Sequence, residues 1–267
     1  MFRKTTLLVI GCCLMFMQSM AFAGGSVLDT VQKRGELRVG FDSGYIPFEM
    51  TSKKGKFIGF DIDLGKAMAK AMKVKFVPVN TDFDGIIPAL LTNKFDIIIS
   101  GMTATQERNL QINFADPYFY AGQAILMNSK HAGKITSYKQ FNDPRFKVIS
   151  KLGTTGEMAV KRLLPKARYK SFEKEADAAL EVINGNADAY VYDYPVLKQI
   201  MQKQGSNNIV MLEERFTYEP LAFGIRRGDP DFLNWLNNFM RQIKNDGTYD
   251  RIFKKWFESK AWYKDVE

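Results

Sequence analysis

Apolar and polar positions along this chain switch repeatedly between two periods. ELRVGF (36–41) alternates and predicts a strand, preceded by SVLDTVQKRG, a short helix ending at Gly35, and followed by the turn DSGYIPFE. GFDIDLGKAMAKAMK places Ile62, Leu64, Met68 and Met72 near one helical face. VKFVPV then predicts a strand, FDGIIPALLTN a short helix and KFDIIIS a strand. Strands alternating with helices favour parallel βαβ units over a sandwich.

A second series begins after YFYAGQAILMN. FKVIS, ARYKSF and ADAYVY predict strands; TTGEMAVKRLL, EKEADAALEVING (closed by Gly185) and YPVLKQIMQKQG predict helices. The tail DPDFLNWLNNFMRQIKNDGTYDRIFKKWFESKAW predicts two helices. Asp229 is its N-cap, Pro230 the first helical position, and Asp246–Gly247 the junction. Two α/β units of similar plan, each of roughly a hundred residues, predict two lobes with a cleft between them.

The first residues fix the expected compartment. MFRK is a basic head, TTLLVIGCCLMFMQSM an apolar run, and AFA precedes Gly24, which predicts a signal peptide over 1–23 cleaved after Ala23. Reading VIGC as a lipid-attachment site at Cys12 leaves too few apolar residues before cleavage and is the weaker alternative. Both cysteines, Cys12 and Cys13, fall inside the signal, so the expected mature chain has no disulfide, thiolate metal site or cysteine nucleophile. No later segment approaches the roughly 18 apolar residues of a membrane span. A soluble periplasmic protein is expected.

The formal charge of +9 raises the question of nucleic acid, but the lysines alternate with Asp and Glu along helical segments and form no dense basic block. No nucleic-acid partner is expected. His131 is the only histidine, which rules out a histidine triad and a clustered histidine metal site. GTTG lacks the Gly-Lys-Ser ending of a nucleotide-binding loop. Neither metal nor cofactor is expected.

In α/β sheets ligands sit beyond the carboxyl ends of strands. Asp42 and Tyr45 follow ELRVGF; Phe83 precedes DGIIPAL; Ser100, Gly101, Thr103 and Arg108 follow FDIIIS; Lys151, Gly153, Thr154 and Thr155 follow FKVIS; Asp193 follows ADAYVY. Each alone has an ordinary reading: Arg108 as a surface ion-pair partner, Asp193 as a helix cap, Tyr45 and Phe83 as core. Asp61 and Asp63 read as caps rather than ligands. Together the set suits a zwitterion. A carboxylate wants a guanidinium and helix N-terminal amides, as Arg108 and the GTTG turn supply. An ammonium wants acceptors such as Asp193, the Ser100 carbonyl and the Thr103 hydroxyl.

FDSGYIPFE, GFDIDL, FDGIIPALLTNKFDIIISGMTATQER, GTTGE and NDGTYDRIFKKWF, in that order, resemble the polar amino-acid-binding proteins of bacterial ABC importers (family 3 solute-binding proteins). The resemblance spans essentially the whole mature chain. It implies an α/β fold of two lobes joined by two crossover hinge strands, near Phe119–Gln123 and Thr217–Ala222. The expected organisation is lobe 1 over 24–120, lobe 2 over 121–219, and a return to lobe 1 over 220–267. The resemblance also implies that Arg108 holds the ligand carboxylate, Asp193 the α-amine, Tyr45 and Phe83 the two faces of its side chain, and Asp42 its polar tip. A membrane permease is the implied partner, and a monomer the expected state.

Ligand identity is open between a basic amino acid and glutamine. Asp42 between two aromatics suits a cation, whereas Lys151 opposes one unless it points along the rim. Gly156 stands where several basic-amino-acid binders carry a polar side chain. A cyclohexadienyl dehydratase-like enzyme, with Lys151 and Glu157 as catalytic cation and acid, is a further alternative, disfavoured by a carboxylate at Asp193. A ligand-sensing module is the third class, though the chain carries no signalling domain.

Overall fold

The computed structural model describes residues 25–205 and 207–266. The signal segment predicted for 1–23, with Cys12 and Cys13, lies outside them. Among the described residues no helix is long and apolar enough to cross a membrane.

Ser26 caps α1 (Val27–Arg34) by accepting the Leu28 amide, and Gly35 ends it in the left-handed conformation that costs glycine little. Next come β1 (Glu36–Phe41), the hairpin of β2 (Met50–Thr51) and β3 (Phe57–Ile58), and α2 (Phe60–Ala71). β4 (Lys75–Asn80), α3 (Ile86–Leu91), β5 (Ile97–Ile98), α4 (Gln106–Asn109) and β6 (Asn113–Phe114) complete the first run. After β7 (Phe119–Ala121) the chain builds a second unit: β8 (Gln123–Asn128), β9 (Lys147–Lys151), α5 (Thr155–Leu163), β10 (Arg168–Phe172), α6 (Glu175–Ile183), β11 (Ala189–Asp193), α7 (Tyr194–Gln204) and β12 (Ile209–Leu212). β13 (Glu219–Leu221) leads back to β14 (Gly224–Ile225), α8 (Pro230–Asn245) and α9 (Thr248–Phe253).

Two five-stranded sheets result, ordered β4-β1-β5-β14-β6 and β10-β9-β11-β8-β12. In each, three parallel strands are followed by an antiparallel one that has just crossed from the other unit, β14 in the first sheet and β8 in the second. The doubled plan explains the repeated sequence pattern. The crossover segments β7 and β13 pair antiparallel, Phe119 with Leu221 and Glu219 with Ala121, forming a two-stranded ribbon between the sheets.

Aromatic packing anchors the ribbon to the first lobe. The rings of Phe48, Phe60, Phe119 and Phe257 all lie 5.0–6.2 Å apart, mostly edge to face. Asp229 caps α8 through the Phe232 amide, and its other oxygen accepts the Val27 amide, tying the returning tail to the first helix.

The acidic residues of GFDIDL act differently from caps. Gly59 occupies the N-cap position of α2. Asp61 is fully buried and accepts the Gly101 amide and the Tyr118 phenol. Asp63 accepts the Trp256 indole and pairs with Lys255. Both are structural, but they hold tertiary partners rather than their own helix end.

Candidate ligand-binding site

Asp42, Tyr45, Phe83, Ser100, Gly101, Thr103, Arg108, Lys151, Thr154, Thr155 and Asp193 line one narrow cavity between the two sheets. Each parallel strand delivers its carboxyl-terminal neighbours there, so the strand-end rule collects residues from both lobes. Glu49, Glu175 and Tyr192 complete the lining.

Arg108 is buried at the end of α4, where Thr105 caps the helix by accepting the Arg108 amide. Its guanidinium donates to the Thr103 carbonyl and, across the cleft, to the Gly153 carbonyl, both at 3.0 Å. Among the described residues no carboxylate lies within ion-pair distance of it. Burial lowers its pKa to about 10. Even so it stays charged, a buried cation whose own chain gives it only neutral acceptors.

Asp193 is the complementary case. It stands at the N-cap of α7, but its side chain does not cap the helix. Instead it accepts Tyr45 Oη and Gln123 Nε2, each at 2.7 Å. Burial, then the charge of Glu219, raises its pKa to about 7. No cation among the described residues pairs with it.

Lys151 does not follow the rim. Its side chain is 3% exposed, and its ammonium sits 2.5 Å from Asp42 Oδ2 and 2.7 Å from Glu175 Oε1. Burial alone would lower its pKa, but the charges of Glu175 and Asp42 outweigh that and hold it above the ordinary lysine value. Burial raises the pKa of Asp42 from its ordinary value, opposed by the charge of Lys151. Lys151 lies 5.7 Å and Arg108 5.4 Å from the Phe83 ring centroid, so that ring faces two cations.

The SGMT loop is fixed from below. Ser100 donates its hydroxyl to Glu49 at 2.6 Å and accepts the Asp42 amide. Gly101 adopts φ +51°, and a Cβ there would stand 2.3 Å from the Tyr45 ring, so only glycine fits. Glu49 Oε2 and Asp61 Oδ1 are buried without a donor among the described residues. Burial, then the charge of Asp61, pushes Glu49 well above the carboxylate range, and burial pushes Asp61 up to about 6. Sharing one proton would satisfy both oxygens. Thr103 bridges Leu221, and the Ala104 amide donates to Pro220, joining the loop to the crossover ribbon.

On the opposite wall Thr154 caps α5, and its hydroxyl donates to the Lys151 carbonyl at 2.7 Å. The Thr155 hydroxyl accepts Gln123 Nε2. A Cβ on Gly156 would lie 2.6 Å from Ser150 Oγ and 2.9 Å from the Val191 carbonyl, which accounts for glycine at this position. Glu157 is not in the cavity wall; it accepts the Gly153 amide and pairs with Lys161. The catalytic acid considered from sequence is therefore outside the lining.

Residues 37–259 match the model of the bacterial extracellular solute-binding proteins, family 3. The chain belongs to that family. The ABC transporter arginine-binding protein 1 of Escherichia coli is 30% identical, covering 83% of this chain and 90% of that protein. A solved structure of a putative binding component of an ABC transporter from Wolinella succinogenes, complexed with lysine, is 50% identical with a TM-score of 0.83, covering 86% of this chain and 99% of that one. An ancestral amino acid-binding protein, a precursor of cyclohexadienyl dehydratase, is 51% identical with a TM-score of 0.82, covering 87% and 100%.

Within this family fold, three lining residues escape the sequence reading. Glu175 follows β10, the one parallel strand of the second unit whose carboxyl end gave no candidate. Glu49 closes the YIPFE turn, and Tyr192 is the penultimate residue of β11. Nothing but the strand-end rule applied to ARYKSF would have found Glu175.

Proposed function

We propose that this protein captures a basic L-amino acid outside the cytoplasm by hinge closure and delivers it to the permease of an ABC importer, without chemistry on the ligand. One observation carries the reading. A single buried cavity holds a guanidinium with no carboxylate partner among the described residues, Arg108, and a carboxylate with no cation partner among them, Asp193. Buried charges are costly unless paired, and an α-amino acid supplies both missing partners at once.

In this reading Arg108 and the α5 N-terminus hold the carboxylate. Asp193, with the Ser100 carbonyl and Thr103, holds the amine. Tyr45 and Phe83 flank the side chain and Asp42 meets its tip. With Glu49 left out because burial keeps its proton on, the carboxylates Asp42, Glu175 and Asp193 still outnumber the cations Lys151 and Arg108 in the wall. That excess favours arginine or lysine over neutral glutamine. The relative named for arginine and the neighbour complexed with lysine support the same choice. The protein acts as a periplasmic monomer of two lobes, 24–120 with 220–267 and 121–219, released by cleavage after Ala23.

Calorimetric titration with arginine, its decarboxylated analogue agmatine and Nα-acetylarginine tests the clamp. Arginine is expected to bind one to one while both analogues fail. Undiminished agmatine binding would remove Arg108 from the ligand carboxylate. Incubation with prephenate-like acids is expected to yield no product; turnover at enzymatic rates would overturn the transport reading.

A further inference from the structure

We infer that Lys151 is a built-in occupant of the place where the cavity receives the ligand's side-chain cation, and that Glu175 sets specificity by neutralising Lys151 from within its own lobe, so that Asp42 can be given up to the ligand. This inference rests on the reading of the ligand as a basic amino acid.

The surroundings of the Lys151 ammonium are those a ligand cation would seek. They comprise two carboxylates, Asp42 at 2.5 Å and Glu175 at 2.7 Å, and the Phe83 ring at 5.7 Å. Lys151 and a ligand cation carry the same charge, so Asp42 cannot serve both fully. The two carboxylates differ in where they are attached. Glu175 opens α6 and Lys151 ends β9, both in the second lobe, whereas Asp42 follows β1 in the first. Opening of the proposed hinge would part Lys151 from Asp42 but not from Glu175, which shares its lobe.

Glu175 is also held in place. Tyr192 donates its phenol to the same oxygen that accepts Lys151, at 3.0 Å, and the Glu175 side chain is 8% exposed. A second-lobe carboxylate of fixed position cancels the lysine's charge without help from Asp42. Asp42 is then available to a ligand guanidinium or ammonium. Without Glu175, Lys151 would have only Asp42 as its counter-ion and would compete with any cationic ligand for it. A ligand amide, which can accept from lysine and donate to Asp42, would suffer no such competition.

Three variants test this: Glu175→Gln, Lys151→Met and the double change, each titrated with arginine, lysine and glutamine. The readout is the ratio of basic-ligand to glutamine affinity on one protein sample, which cancels any loss of folded fraction. Glu175→Gln is expected to lower that ratio by roughly tenfold or more, because Lys151 and the ligand cation would then share Asp42 as their one counter-ion. Adding Lys151→Met is expected to restore it, since no charge then needs cancelling. An unchanged ratio in Glu175→Gln, or a lowered ratio that Lys151→Met does not restore, would overturn the role given to Glu175. Wild-type protein preferring glutamine would overturn the basic-ligand reading itself, and this inference with it.

Discussion

The phenol of Tyr45 donates to Asp193 Oδ2 at 2.7 Å, from one lobe to the other. The Tyr45 ring is stacked on Phe48 at 4.6 Å and set edge-on to Tyr192 at 5.9 Å, so its hydroxyl is aimed by packing on two sides. Tyr45→Phe keeps the ring contacts and deletes one donor to a buried carboxylate. Such a loss costs about 1–3 kcal/mol. Calorimetry is expected to show weaker ligand binding with the stoichiometry unchanged; wild-type affinity would mean that the phenol contributes nothing once ligand is bound.

Arg108→Ala and Asp193→Ala should each weaken amino-acid binding by roughly 2–5 kcal/mol, because each leaves a buried charge of the ligand unpaired. The two losses are expected not to add, since both belong to one ligand pose. Near wild-type affinity in either variant would take that residue out of the site.

Affinity should also depend on pH in a definite direction. Burial raises Asp193 to about 7 in the folded protein, above its ordinary value of 3.8. A carboxyl raised on folding stabilises the unliganded fold while protonated, and that contribution is lost as pH rises through about 7. Glu49 and Asp61 are shifted the same way. The ligand ammonium requires ionised Asp193, so binding should weaken by about tenfold per unit as pH falls below 7 and level off above it. Titrations across this range check the slope, and a flat profile between pH 5 and 8 would exclude Asp193 as the amine partner.

Much of this site was legible because α/β sheets place ligands at strand ends and this chain marks its strand ends clearly. The residues collected from β1, β5, β9 and β11 converge on one cavity, from its two walls. What sequence could not show was how the charges pair. Whether Lys151 opposes a cation or points along the rim was open from sequence; it is buried between carboxylates from different lobes, and one of them, Glu175, lies more than twenty residues away in the chain. Asp61 resembled a cap because acidic residues often open helices. Its real partners, Gly101 and Tyr118, come from distant segments that only the folded chain brings near. Gly156 looked like a departure from the family pattern, and the close approach of Ser150 and Val191 accounts for it.

Motion between the lobes should follow from the paired crossover strands and from the link between Thr103 and Leu221. Saturating ligand is expected to lower the radius of gyration in small-angle scattering and to raise the melting temperature through linkage. Confirmed binding with unchanged scattering would contradict hinge closure.

The central claim is that the cavity is built for a zwitterion with a cationic side chain. A thermal-shift screen of the mature protein against all twenty amino acids tests it most directly. The largest stabilisation is expected with arginine or lysine, less with glutamine and none with glutamate. Glutamate as the best ligand, or no stabilisation by any amino acid, would contradict it.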